Sequence, residues 1–201
     1  MLMINIPVSA EEQSQYINGV TQINGYTEFE QPQVIENQDM AQLGYSDIRA
    51  YEIENAGELA WFVQHFYAGD LETQNVSLAD NIDMSALAAY SWTPLGYYNV
   101  ETQTGKSYDG VFDGNGYSIS NIILNQINGV DLVSKVSEEQ AAVLGTQPIE
   151  NIAQNALAGV FGYIGSAGHV TELKLENTSI TSNADAGVLT GRNEGSISAC
   201  V

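Results

Sequence analysis

The chain has one cysteine, two histidines and only five basic residues in 201, and each shortage closes off a class of chemistry. A single thiol permits no intrachain disulfide, so the fold cannot rest on the cross-links that many small secreted domains need. Cys200 has no basic neighbour to draw out its thiolate, and it reads as a small apolar residue stacked inside a core. His65 and His169 stand outside any H-E-x-x-H or paired-cysteine context, which removes the usual zinc frameworks. Five Lys and Arg against twenty-five Asp and Glu leave a net charge of −20. Such a surface repels phosphate backbones and anionic membranes, so no nucleic acid and no membrane insertion are expected. No run approaches the roughly twenty apolar residues of a spanning helix. There is no G-x-x-x-x-G-K-[ST] phosphate loop. No cofactor is expected. Calcium is the one ion left open, through aspartates and turn carbonyls, although their spacing is not that of an EF-hand loop.

What the chain does have is 44% apolar residues, enough for one substantial core, and nineteen glycines. The glycines punctuate a repeat. Gly110 to Ile122 reads G-V-F-D-G-N-G-Y-S-I-S-N-I, and two shortened echoes follow: Gly159-Val160-Phe161 with Gly168-His169-Val170, then Gly187-Val188-Leu189 with Gly195-Ser196-Ile197. A short apolar strand, a glycine turn and another short strand form a unit that buries its apolar face only against a copy of itself. Aligned position by position, Ile119 and Ile122 correspond to Val170 and Leu173, and these to Ile197 and Cys200. The last two copies are 27 residues apart, which suits a coil of two or three strands, whereas WD-type blades and helical repeats need roughly 33 to 47. The expected architecture is all-β, a right-handed parallel β-helix in which Ile119, Val170 and Ile197 occupy successive layers.

The first two copies stand 51 residues apart, so an extra coil or an insertion lies between them. The capping box Ser137-Glu138-Glu139-Gln140 leading into Ala141 to Leu144, and Pro148 ahead of Ile149, Ile152, Ala153 and Ala156, argue for a helical insertion over about 125–157. Upstream, Asn55 and Glu58 form a helix start, and Leu59, Phe62, Val63 and Phe66 fall on one stripe that closes at Gly69. This predicts an amphipathic capping helix over about 56–68, placed to cover one end of the coils and block edge pairing. Residues 21–201 read as a single domain. Residues 1–20 read as a disordered N-terminus or a signal-peptide remnant, with Val8-Ser9-Ala10 as a small-residue cleavage site. The chain stops directly after the third copy, as a fragment of a longer repeat protein or a coil awaiting a partner would.

Several segments together resemble the GLUG-repeat β-helix family. They are Tyr51-Glu52-Ile53 with Ala56 to Phe62, Leu78-Ala79-Asp80-Asn81-Ile82-Asp83-Met84, Trp92-Thr93-Pro94-Leu95-Gly96, Phe112 to Ile119, Gly159 to Ile164 and Gly187 to Asn193. The likeness runs from about Tyr51 to the end and departs from the family pattern in the insertion and the first fifty residues. It implies a module of a large secreted or wall-attached bacterial protein, adhesin-like or resembling the non-catalytic region of immunoglobulin A metalloproteases. It implies no activity, because the shared residues are strand, turn and stacking positions. The expected role is therefore non-enzymatic adhesion or display, extracellular or at the cell surface, with a glycan or protein ligand or copies of itself as partner.

Two rival roles follow from the same architecture. An uncapped coil accepts the next molecule head to tail, giving a fibre. A β-helix also hosts carbohydrate-active enzymes, and function has to be argued from a site. A lyase acting on acidic sugars needs clustered positive charge, while Arg49, Lys106, Lys135, Lys174 and Arg192 are scattered singly. A two-carboxylate hydrolase needs only a pair of acids, for which Asp109 with Asp113 and Asp80 with Asp83 are the best placed. Asp113-Gly114-Asn115-Gly116 reads more simply as a tight turn, and Asp80 to Asp83 as polar residues at a coil corner. Among the aromatics, Trp92 belongs to the fold pattern and is expected to pack. Tyr97, Tyr98 and Tyr108 are the candidates for an exposed ligand surface, with apolar faces and polar tips.

Overall fold

The computed structural model describes residues 15–17, 20–23, 26–42, 44–69, 71, 73–127 and 156–201. The signal-like opening at Met1 to Ala10 and the helical insertion, apart from its edges, lie outside the described residues. Three strands, β1 (Gln15–Ile17), β2 (Val20–Ile23) and β3 (Tyr26–Phe29), form an antiparallel sheet. Next come β4 (Gln33–Glu36), α1 (Gln38–Gln42), β5 (Arg49–Ile53) and α2 (Ala56–Ala68). They are followed by β6 (Asn75–Leu78), β7 (Ile82–Asp83), a 3₁₀ turn at Met84–Leu87 and the hairpin β8 (Tyr97–Asn99) and β9 (Thr104–Lys106). The remaining strands come in runs: β10 (Val111–Asp113), β11 (Ser118–Ser120) and β12 (Ile123–Asn125); β13 (Phe161–Ile164); β14 (His169–Thr171), β15 (Lys174–Glu176) and β16 (Ser179–Thr181); β17 (Thr190–Asn193) and β18 (Ser196–Ser198). The described chain is thus mostly β-strand with few helices, in parallel and mixed sheets.

These strands are too short to stand alone, and what holds them is pairing with the corresponding strand one repeat away. In one sheet, β5, β6, β10, β14 and β18 run parallel in that order, with β4 antiparallel on the β5 edge. A second sheet stacks β7, β11 and β15, a third β12 and β16, and a fourth β13 and β17, all parallel. The inward residues form ladders: Val76, Phe112, Val170 and Ile197 in the first, and Ile82, Ile119 and Leu175 in the second. All but the last rung are buried. Ile197 is 37% exposed and Leu175 half-buried, because no further strand covers them in the described chain. The spacing between rungs is 27 residues from Val170 to Ile197 and 29 from Phe161 to Thr190. It widens to 36 from Val76 to Phe112, where the β8–β9 hairpin intervenes, and to 58 from Phe112 to Val170, across residues 126–160.

The ladders correct the sequence register. Ile119 pairs with Ile82 and Leu175, so it does not share a ladder with Val170 and Ile197. Likewise Ile122 adjoins the Ile123–Ser179 pair and does not match Leu173. The cause is a tripeptide used twice. Gly-Val-Phe occurs at Gly110 and again at Gly159, but Phe112 lies beside Val170 while Phe161 lies beside Thr190 and bridges to Leu95. Both strands bring backbones so close that a side chain on the glycine has no room. A Cβ on Gly110 would sit 2.2 Å from the Gln74 carbonyl oxygen, and one on Gly159 2.7 Å from that of Phe161. The alignment of the last two copies is the one the structure contains, Val170 lying opposite Ile197. Cys200 packs half-buried against the same core, its Sγ 3.7 Å from the Val170 carbonyl oxygen.

Helix α2 forms for the reasons its sequence gives. The Asn55 Oδ1 accepts from the Glu58 amide at 3.0 Å, and the Glu58 carboxylate accepts from the Glu54 amide at 2.6 Å. Burial pushes the Glu58 carboxyl above its ordinary value, against the pull of the Glu54 and Asn55 amides. Leu59, Phe62, Val63 and Phe66 are buried in one cluster with Val76, Phe112, Ile119 and Val170. Each contributes roughly 1.5–3 kcal/mol of transfer free energy. The helix ends where the Gly69 amide donates to the His65 carbonyl.

Candidate functional site

The three tyrosines singled out from the sequence separate in the structure. Tyr108 is fully buried, which corrects the expectation that it is exposed. Its ring packs among Phe62, Phe66 and Phe161, with centroids 6.4, 6.4 and 5.9 Å away. Its hydroxyl lies 2.9 Å from the Gln74 carbonyl oxygen and 3.0 Å from that of Val111. Burial raises this hydroxyl's pKa well above the ordinary tyrosine value. A tyrosine held in this way is a core strut and offers no face to a ligand.

Tyr97 and Tyr98 remain partly exposed on β8. The hairpin that carries them is pinned at its far strand, where the Lys106 ammonium donates to the Phe66 and Gly69 carbonyls at 2.5 and 3.0 Å. A cation at the carbonyl end of α2 is the favoured sign there. Tyr97 faces Tyr67, with centroids 6.3 Å apart and planes 28° from parallel, and the Tyr67 hydroxyl donates to the Pro94 carbonyl. Tyr98 meets the edge of Tyr163, with centroids 5.6 Å apart. The Arg192 guanidinium lies 3.9 Å from the Tyr98 centroid and 5.0 Å from that of Tyr163.

Glu194 completes this group. Its carboxylate accepts from the Tyr163 hydroxyl at 2.7 Å and from Arg192 Nε at 3.1 Å. The Arg192 bond, with the Tyr163 bond second, holds the Glu194 carboxyl below its ordinary value, while bonding to Glu194 raises the Tyr163 hydroxyl. The result is two aromatic groups, one on each side of β8: Tyr97 with Tyr67, and Tyr98 with Tyr163 and the Arg192 guanidinium. Sequence reasoning missed Tyr163, Arg192 and Glu194, because Tyr163 was absorbed in a strand pattern and Arg192 stood as an isolated charge. Only the pairing of Tyr163 with Arg192 in β13 and β17 brings them to Tyr98.

The paired aspartates are occupied with backbone work. Asp113 Oδ1 accepts from the Asn115 amide at 2.8 Å, in a turn where Asn115 and Gly116 take φ of 50° and 78°. Asp109 accepts from Ser107 Oγ and from the Ala167 amide. Asp80 accepts from the Asn81 amide, and Asp83 from the Ser85 amide at 2.9 Å and Asn121 Nδ2 at 2.7 Å, which depresses the Asp83 carboxyl. Trp92 is buried, its indole N–H donating to the Val160 carbonyl at 3.0 Å. His65 stacks on Trp61 with centroids 3.6 Å apart and donates through Nδ1 to the Trp61 carbonyl. Among the described residues no group of three or more His, Cys, Asp or Glu side chains is placed to hold a metal ion. No helix among them is long and apolar enough to cross a membrane.

No family description matches the chain, and no solved structure matches it. Among curated proteins the chain is similar to halomucin of Haloquadratum walsbyi, with 28% identity over 149 residues. That match covers 73% of this chain and 1% of halomucin, so the chain spans about a hundredth of that protein's length.

Proposed function

We propose that the chain is a right-handed parallel β-helix of GLUG-type repeats, serving as a non-enzymatic adhesion or display module of a secreted or cell-surface protein. The observation that carries the reading is the repeated order of parallel pairing: β6, β10, β14 and β18, then β7, β11 and β15, then β12 and β16, each strand lying beside its counterpart one repeat on. A strand returning parallel to itself through a crossover is right-handed in about 98% of cases, which favours that hand. Helix α2 then covers one end of the stack. The net charge of −20 suits a chain kept soluble and apart from its neighbours outside a cell. The partial likeness to halomucin, a mucin by name, supports that placement. The aspartates' engagement with backbone amides supports a role without catalysis.

The ligand surface is the group of Tyr98 and Tyr163 beside Arg192, where aromatic faces stack on sugar rings or on a protein partner's side chains. Glycan-array and partner-capture binding is to be compared between the wild type and Tyr98→Ala/Tyr163→Ala. Loss of binding by tenfold or more supports the surface, and unchanged binding refutes it. A second reading is end-to-end assembly of copies. Light scattering separates the two, since a monodisperse monomer at high concentration argues against assembly.

A further inference from the structure

We propose that Asn177 is the acceptor of an N-linked glycan. The site rests on the surface reading above, because glycan transfer of this kind acts on exported chains. The full sequence contains the acceptor pattern N-x-[ST] twice, at Asn75-Val76-Ser77 and at Asn177-Thr178-Ser179. The fold treats the two oppositely. Asn75 is 7% exposed, its Nδ2 donating to the Asp47 and Arg49 carbonyls at 2.9 and 3.1 Å while its Oδ1 accepts from the Val111 amide at 2.9 Å. That amide ties β5, β6 and β10 together, and no sugar fits on it in the folded chain.

Asn177 occupies the turn between β15 and β16 with φ of 50°, a left-handed conformation that asparagine tolerates, and it is exposed. The preceding repeat has asparagine at the same turn, Asn121, whose amide lies opposite the Glu176 carbonyl. There Nδ2 is spent on Asp83 Oδ1 at 2.7 Å, and Ile123 stands where a hydroxyl would be needed. Among the described residues the Asn177 side chain makes no hydrogen bond, and Ser179 two positions on is exposed as well. Turn geometry thus accounts for an asparagine in both repeats. Only the second adds a free amide and an accessible hydroxyl.

The donor is a lipid-linked glycosyl phosphate, and the catalyst a membrane-bound oligosaccharyltransferase. The Asn177 Nδ2 bonds to the anomeric carbon as the bond from that carbon to the phosphate oxygen breaks. The lipid phosphate leaves with the electron pair, and the nitrogen gives up one proton to the transferase's base.

The test incubates the folded full chain with a lipid-linked oligosaccharide and transferase-bearing membranes, followed by intact mass and peptide mapping. The expected result is one glycan on the peptide containing Asn177. It disappears in Asn177→Gln and Ser179→Ala, persists in Ser179→Thr, and is accompanied by a second glycan on Asn75 only after unfolding in urea. A folded chain left bare at Asn177, in preparations where unfolded Asn75 is modified, overturns the proposal. In the native cells, chain found outside the cell and bare at Asn177 overturns the site while leaving the surface reading intact. Chain confined inside the cell overturns both.

Discussion

Replacing Tyr108 by Phe and by Ala separates the work of its hydroxyl from that of its ring. The hydroxyl is sealed from water and sits between the Gln74 and Val111 carbonyl oxygens. Phe keeps the ring and strips the donor, leaving these acceptors short of a partner at a cost of about 1–3 kcal/mol. Ala also removes the ring from its place among Phe62, Phe66 and Phe161. Emptying a site of that kind costs about 3–5 kcal/mol before the lost hydroxyl is added. Against a typical domain stability of about 5–15 kcal/mol, the Ala variant stands close to unfolding. Urea titration followed by Trp61 and Trp92 emission reads both changes as a lower midpoint at unchanged slope. Tyr97→Ala, on the partly exposed hairpin, is the control and is expected to cost about 0.5–1.5 kcal/mol, the worth of its stacking on Tyr67.

The pH dependence gives an independent check. Burial raises the folded Tyr108 pKa above the ordinary 10.0, so above that pH the native state holds its proton more tightly than the unfolded chain does. The stability from its neutral burial is therefore fully present below pH 10 and is lost as pH rises beyond it. Tyr108→Phe flattens that alkaline loss. A Tyr108→Ala variant no less stable than Tyr97→Ala would refute the reasoning and return Tyr108 to the surface.

Four further outcomes follow from other parts of the fold. A Cβ on Gly162 would lie 2.2 Å from the Gly96 carbonyl oxygen, so Gly162→Ala is expected to cost about 1–3 kcal/mol or more, roughly 2–4 °C of Tm per kcal/mol. Gly69→Ala, with open space around it, is expected to be neutral or stabilising by up to about 1 kcal/mol, and a scan of both by calorimetry decides. Burial lowers the pKa of His65 from 6.5, so its share of stability is present above that pH and is lost as pH falls through the folded value. Its ring resonances in an NMR titration should have a midpoint below that of free histidine. With a net charge of −20, raising sodium chloride from 0.05 to 1 M should raise Tm, since the screening length falls to about 3 Å at 1 M. A flat salt profile would mean that the acids do not strain the fold.

Helix α2 was legible residue by residue, because Asn55, Glu58, the Leu59 to Phe66 stripe and Gly69 are local signals that its tertiary packing reinforces. The 27-residue unit was legible between the last two copies, where Val170 and Ile197 follow Gly168 and Gly195 at the same spacing. Between the first two it was not, because close backbone approach demands glycine at Gly110 and at Gly159 alike, and both are followed by Val-Phe. Three-residue strands carry too little periodicity to choose between two such matches. Tyr108 was grouped by proximity in sequence with Tyr97 and Tyr98. The alternation Ser107-Tyr108-Asp109 already pointed its ring to the opposite side from its polar neighbours. The aromatic–cation group joins Tyr98, Tyr163 and Arg192, residues 65 and 29 apart, and becomes visible only once the strand register is known.

The register of β11 against β15 is open to direct measurement by cysteine cross-linking in a Cys200→Ala background. Paired residues on neighbouring strands lie about 4.7–4.9 Å apart, inside the Cα range of about 4.4–6.8 Å for a disulfide. Ser120 lies opposite Glu176, so the double variant Ser120→Cys/Glu176→Cys should close to a disulfide under mild oxidation, while Ser120→Cys/Thr171→Cys should stay reduced. The reverse pattern, or no bridge in either, would contradict the stacking from which the site and its proposed role are built.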